Sequence, residues 1–388
     1  MELWFNWAIT LAAELVAGAL IMKYWFPDIP AIVWSALFLA ALFLMNYLST
    51  RSFGESEYFF SSMKVITVFV FLFVGTMLIL GIGGTSPGFE NWTRGEAPFV
   101  GGFASIMAIF MVAGFSFQGT ELIGVAAGES EEPEKNIPKA IHSIFWRIIL
   151  FYIGVFVVIG FLIPYDDPNL LNSSVENVAI SPFTLVLDRF GFAFAASFIN
   201  AIILTAVLSA GNSGLYASTR MLYAMAKEGD APKVFTKLNS RGVPVPALLA
   251  TAAFGVFAFL TSLIGEGTAY NWLINISGMS GFIAWLGIAI AHYRFRRAFH
   301  AQGKSLDEIP FKALFYPFGP IFATVLCLII IAGQNYTAFT GETIDWYGAS
   351  VAYIGIPVFL LVYAAYKSKY KTHVIPLKEV NLDRDYEK

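Results

Sequence analysis

The sequence predicts an all-α polytopic membrane protein, and three observations favour this fold class. Only 13% of the 388 residues are charged, whereas soluble domains carry about 25%. Hydrophobic residues make up 57% and aromatic residues 16%, which is typical of a lipid-facing surface with aromatic belts at the interfaces. The apolar residues also form ten long runs. Together these features exclude an ordinary soluble globular protein.

Each apolar run approaches or exceeds the length of about 20 residues that a membrane-spanning helix needs. The ten runs lie at 4–26, 31–49, 57–82, 101–129, 144–163, 183–225, 246–266, 271–296, 316–335 and 347–368. Two of them are too long for a plain span. The fourth carries a polar insert, and the sixth is expected to continue as a helix beyond the membrane.

The basic residues predict the orientation of these spans. In an alternating ten-span arrangement, 20 of the 24 Lys and Arg residues fall on the same side of the membrane. Lys23, Arg94 and Arg189 fall on the other side, and Lys64 lies inside a span. Since cytoplasmic loops carry the excess of basic residues, both termini should be cytoplasmic. The external loops at 165–177 and 337–346 are acidic and polar.

The fourth run contains a stretch that membrane helices rarely carry, GFSFQGTELIG at 114–124. Its three glycines weaken a helix, its Ser, Gln and Thr side chains offer hydrogen bonds, and Glu121 is ionisable. Irregular backbone at membrane depth is tolerated only inside protein or beside a watery cavity, and broken helices form ligand sites in transporters. A packing face of small residues would explain the glycines, but not Gln118 or Glu121. We therefore predict a binding site here.

Two more ionisable residues lie within predicted spans, where they are functional candidates because charge is costly in lipid. Glu14 is about ten residues, or roughly 15 Å, into the first run. The alternative for Glu14 is a protonated side chain that only hydrogen-bonds between helices. Lys64 is either a cation held inside the bundle that gains and loses a proton, or a side chain that extends to the headgroups.

Two further stretches resemble the insert in composition. AGNSGLYASTR at 210–220 places Asn212 and Ser213 between glycines, and ISGMSGFIAW at 276–285 alternates serine with glycine. Small-residue packing is the simpler explanation for either one alone. Taken with 114–124, they predict three polar, glycine-containing interruptions that converge in one bundle.

Enzymatic chemistry is not indicated. The sequence contains no nucleotide-binding loop, zinc-ligand spacing or nucleophile elbow, and Cys327 is its one cysteine. We expect no catalytic residue, no metal ligand and no nucleic-acid partner.

Four long strings resemble the amino acid transporter branch of the amino acid–polyamine–organocation superfamily, in particular its bacterial permeases for lysine. They are GFSFQGTELIG, AAGESEEPEKNIPKAI, ILTAVLSAGNSGLYASTRMLY and SGMSGFIAWLGIAIAHYRFRR. The resemblance covers the chain from about residue 4 to the end of the last run. It implies a LeuT-like inverted-repeat fold with ten of the family's twelve transmembrane helices. The first two helices would precede Met1, so the chain is expected to be a fragment or to lack half of its substrate site.

This resemblance implies one membrane domain over 1–388. Residues 1–82 would complete the first inverted repeat (family helices 3–5), and 101–296 would form the second (family helices 6–10). Residues 316–368 would add two helices, and 369–388 would be a cytoplasmic tail.

The resemblance also implies roles for individual residues. Phe115 falls where relatives have an aromatic lid, and Gln118 where a side chain faces the ligand. Glu14 would suit the second cation of a dibasic substrate, and Lys64 and Glu121 would couple transport to protons. The expected substrate-binding set is Glu14, Gly114, Phe115, Ser116, Phe117, Gln118, Gly119, Asn212 and Ser213.

The resulting expectation is a proton-coupled amino acid permease of the bacterial inner membrane that imports lysine by alternating access. It would use no cofactor other than the proton gradient. Its expected partners are the amino acid, the lipid bilayer and a regulatory membrane protein. The alternatives are a permease for arginine, histidine or a neutral amino acid, and a truncated sensor that binds without transporting.

Overall fold

The computed structural model describes residues 1–48, 50–82, 85–126, 132–171, 181–189, 193–309, 312–313, 315–340 and 343–382. In these ranges the regular elements are helices. Parts of six predicted segments lie outside the described residues: 49 of the second run, 127–129 of the fourth, 190–192 of the sixth, 172–177 and 341–342 of the external loops, and 383–388 of the tail.

The described residues of the first half of the chain form ten α-helices. They are α1 (Glu2–Met22), α2 (Ala31–Leu48), α3 (Thr50–Ile79), α4 (Glu90–Thr93), α5 (Gly102–Phe115), α6 (Leu122–Ala126), α7 (Pro133–Arg147), α8 (Val155–Leu162), α9 (Pro168–Leu171) and α10 (Pro182–Arg189). A π-helical turn, Ile148–Gly154, joins α7 to α8.

The described residues of the second half form seven more. They are α11 (Ala193–Glu228), α12 (Val245–Phe254), α13 (Thr261–Ile264), α14 (Glu266–Ala301), α15 (Phe318–Gly333), α16 (Trp346–Tyr353) and α17 (Gly355–Tyr370). A 3₁₀ segment, Gly255–Leu260, connects α12 with α13.

Seven helical segments among the described residues are long and apolar enough to cross a membrane, and they match seven of the ten predicted runs. The other three runs differ from plain spans. The fourth is divided between α5 and α6, the ninth is the 16-residue α15, and the tenth bends by 45° between α16 and α17. The structure therefore supports a polytopic membrane protein.

The sixth run contains α10, which ends at Arg189, and α11, which begins at Ala193 and continues to Glu228, beyond the end of the predicted run. Residues 190–192 lie outside the described part of the chain.

The prediction that 210–220 and 276–285 interrupt their helices is wrong. Both stretches are continuous helix, within α11 and α14 respectively. Their glycines permit close packing instead, because a Cβ added at Gly214 would lie 2.9 Å from the Trp7 ring. Their polar side chains find partners on neighbouring helices, as Ser277 does with Asn6 and Thr10 of α1. Composition alone cannot separate this arrangement from a broken helix.

The described chain divides into two compact units. The first contains 3–106 and 141–277, and its centre is α1, which is buried on nearly all sides from Asn6 onward. An apolar helix with no polar face is expected in such a position. Helices α2 and α3 instead expose apolar side chains such as Leu37, Leu44 and Phe69, as expected of a lipid-facing surface.

The second unit contains 107–140 and 278–388. Its core joins Phe282 of α14 to Cys327 and Ile330 of α15. The described part of the tail packs against the end of α14, where Gln302 donates from Nε2 to the carbonyls of Leu377 and Val380.

Candidate functional site

The predicted break at 114–124 is confirmed. Helix α5 ends at Phe115, α6 begins at Leu122, and the six residues between them form turns. Gly119 has a φ of +104°, a conformation that side chains with a Cβ rarely adopt. The glycine therefore permits the turn that divides the span.

The Glu121 carboxylate is held within the break. Gly119 donates its backbone N–H to Oε1 and Oε2 at 3.1 and 3.0 Å, and Trp285 of α14 donates Nε1–H to Oε2 at 3.0 Å. Two directed donors stabilise a carboxylate that has left bulk water. The Glu121 side chain thus links the conformation of the break to α14.

Beside Glu121 lies a cavity of about 540 Å³ within the second unit. Phe282, Trp285 and His292 of α14 form part of its wall, and Ile330 of α15 forms another part. A carboxylate among aromatic rings suits a group that carries a positive charge or a dissociable proton.

Gln118 and Gly114 pack closely against α14. The Gln118 amide donates from Nε2 to the carbonyl of Gly278 at 3.2 Å, and its side chain occupies the space beside Gly281. A Cβ at Gly114 would collide with the Phe282 ring. Phe115, Phe117 and Gly119 are half-buried, whereas Ser116 is exposed.

The first unit contains the other predicted ionisable residues. Lys64 of α3 donates from Nζ to Oγ of Ser209 on α11 at 2.8 Å, and its Nζ lies 3.8 Å from Oε1 of Glu57. The cationic partner of Glu57 is therefore Lys64 of the same helix, and Ser209 joins the pair from α11.

A close approach of two helices positions Glu14. A Cβ at Gly211 of α11 would lie 3.4 Å from Glu14 Cβ and 3.3 Å from Leu42 of α2. Glu14 thus lies where α1 packs closely against α11.

Asn212 belongs to a helix–helix hydrogen bond. Its Oδ1 accepts from Nδ2 of Asn46 on α2 at 2.7 Å, and both side chains are buried. Ser213 is half-buried beside it. The predicted site residues therefore form two groups, with Glu14, Lys64, Asn212 and Ser213 in the first unit and 114–121 in the second.

The comparison with known families decides the classification, because residues 1–378 match the amino acid permease family. The chain belongs to this family. It is 55% identical over 387 residues to the lysine-specific permease of Escherichia coli strain K12, covering 99% of this chain and 79% of the relative. It is 48% identical over 388 residues to a lysine-specific permease of Lactococcus lactis, covering 98% and 75%. A histidine permease of the same L. lactis strain is 45% identical over 384 residues, covering 98% and 80%.

Three residues that form polar contacts in this permease were not predicted from the sequence: Glu57, Ser209 and Trp285. Glu57 lies seven residues before Lys64, so the two share one face of α3; this spacing is a signal that could have found it. Ser209 and Trp285 give no comparable signal, since an isolated serine or tryptophan in an apolar helix is common. Only the packing of α11 and α14 reveals their partners.

Proposed function

We propose that the chain is a proton-coupled permease that imports lysine by alternating access. The observation that carries the proposal is its 55% identity, across 99% of its length, to a protein named a lysine-specific permease. The broken helix α5–α6 is the structural feature that fits this function, because discontinuous helices supply ligand sites in transporters.

Roles for the site residues follow from their chemistry. The half-helix ends around Gly114, Ser116, Phe117 and Gly119 would hold the carboxylate and amino group of the cargo. Phe115 would cover the bound molecule, and Gln118 would contact its side chain.

The remaining residues would select the cargo and couple its transport to protons. Glu14 would attract the ammonium of a lysine side chain, since an acidic partner favours a cation in a low-dielectric site. Asn212 and Ser213 would supply hydrogen bonds from α11. Lys64 and Glu121 would exchange the coupled proton.

The proposal includes a membrane arrangement. Ten spans would follow a LeuT-like pattern of inverted repeats in a bacterial inner membrane, with both termini in the cytoplasm. The excess of basic residues on one side of the alternating arrangement supports this orientation. The proton gradient would supply the driving force, without a cofactor or an enzymatic step.

Uptake by the purified chain in proteoliposomes tests the proposal. With an inward proton gradient, labelled lysine should accumulate above its outside concentration, and a protonophore should abolish the accumulation. Binding of lysine without accumulation would instead support the non-transporting sensor.

Histidine is the second candidate cargo, because a histidine permease is 45% identical over 98% of this chain. We expect excess unlabelled lysine to compete with labelled lysine more strongly than histidine, arginine or a neutral amino acid does. If unlabelled histidine competes better than lysine, the assignment of the cargo is wrong.

A further inference from the structure

Three polar side chains on α3 and α11 form a continuous hydrogen-bond chain inside the first unit. Lys64 Nζ donates to Ser209 Oγ at 2.8 Å, and the one hydroxyl proton of Ser209 is shared between the two carboxylate oxygens of Glu57, which lie 2.7 and 2.8 Å from Oγ. The direct separation of Lys64 Nζ from Glu57 Oε1 is longer, at 3.8 Å. The shortest connection between the ammonium and the carboxylate therefore passes through the Ser209 hydroxyl.

The position of Ser209 suits this connection. Its side chain is 1% exposed, so the hydroxyl depends on its protein neighbours for hydrogen bonds. A serine hydroxyl donates one hydrogen bond and accepts others, and here it accepts from a cation and donates to an anion. Ser61 also donates to Glu57 Oε1, at 3.2 Å, and helps to fix the carboxylate.

We propose that Ser209 relays a proton between Lys64 and Glu57, an inference that rests on the proposed proton-coupled function. In the forward step the Lys64 ammonium gives a proton to Ser209 Oγ, while the hydroxyl proton of Ser209 passes to a Glu57 oxygen. The products are a neutral amine, an unchanged hydroxyl and a neutral carboxylic acid. The net charge of the three groups is zero before and after, so the step leaves no unpaired charge in the bundle.

Transport variants test the relay. In proteoliposomes, Ser209→Ala should lower proton-driven lysine accumulation about tenfold or more, because the positioned proton-transfer group is lost. Counterflow exchange of labelled for unlabelled lysine, which needs no net proton movement, should persist. Ser209→Thr keeps the hydroxyl and should restore accumulation.

Ser218→Ala is the matched control. Ser218 lies on the same helix and is equally buried, but its hydroxyl donates to the Gly214 carbonyl of its own helix. This variant should retain both accumulation and counterflow. Wild-type accumulation by Ser209→Ala would overturn the relay, and so would loss of counterflow together with accumulation, since that result indicates a structural role.

Infrared spectroscopy of the purified full chain tests the relay without transport. A carboxylic acid band that appears as pH falls should vanish in Glu57→Gln, whereas a band that vanishes in Glu14→Gln belongs to Glu14. The midpoint of the Glu57 band should shift in Lys64→Met and in Ser209→Ala, but not in Ser218→Ala. A Glu57 band that neither substitution shifts overturns the relay. If the wild-type chain moves no lysine, the proposed function fails, and this measurement still decides the relay.

Discussion

Individual carboxylates in this protein are placed by specific donors rather than by solvent. Glu121 accepts from the backbone of Gly119 and from the indole of Trp285. Hydrogen bonds to a charged group contribute about 1.5–3 kcal/mol each. The indole bond therefore joins the Glu121 carboxylate to α14, and the Gly119 bond joins it to the break.

Glu121→Gln should impair coupling more than binding. The amide keeps the shape of the side chain but carries no charge and cannot be protonated reversibly. We expect proton-driven lysine accumulation to fall about tenfold, since 1.4 kcal/mol corresponds to a factor of ten, while lysine binding changes little. Glu132→Gln is the control, because Glu132 is exposed and pairs with Lys135 in solvent. Equal accumulation by the two variants would contradict the role of Glu121.

Glu14→Gln should change cargo selection. Without its charge, the position no longer favours the ammonium of a lysine side chain, so the KM for lysine should rise about tenfold. Competition by neutral amino acids should become relatively stronger. The matched control is Glu228→Gln at the exposed end of α11. An unchanged ratio of lysine to neutral amino acid uptake in Glu14→Gln would exclude Glu14 from the cargo site.

At the scale of helices, the same residue types produce opposite structures. Glycine beside polar residues breaks the span at 116–121 but not at 210–220 or 276–285. The break could be predicted because Glu121 and Gln118 accompany its glycines. The continuity of α11 and α14 could not be predicted. It depends on contacts between helices that are distant in the sequence, such as the hydrogen bond between Asn46 and Asn212.

Gly119→Ala should destabilise the break specifically. A residue with a Cβ at a φ of +104° costs about 1–3 kcal/mol, so the melting temperature and lysine accumulation should both fall. Gly124→Ala in α6 is the matched control, because a Cβ there would meet nothing within 4 Å. The idea fails if Gly119→Ala is as stable and active as Gly124→Ala.

For the whole molecule, the sequence predicts the class of protein more securely than its internal arrangement. The apolar runs predicted seven helical segments that are long enough to span a membrane, because the length of a spanning helix must match the thickness of the bilayer. The 45° bend between α16 and α17 is a local deviation that the length of an apolar run does not reveal. The distribution of basic residues adds orientation, which depends on charge in the connections and not on packing.

Cysteine labelling in cells tests this orientation. In a Cys327→Ser background, Thr343→Cys lies in a connection expected to be external, and Ser240→Cys lies in a basic connection expected to be cytoplasmic; both native positions are exposed. A membrane-impermeant maleimide should label Thr343→Cys in intact spheroplasts and Ser240→Cys only in inside-out vesicles. The Cys327→Ser protein alone should remain unlabelled in both preparations. The reverse labelling pattern would place the basic connections outside the cell and would contradict the predicted orientation.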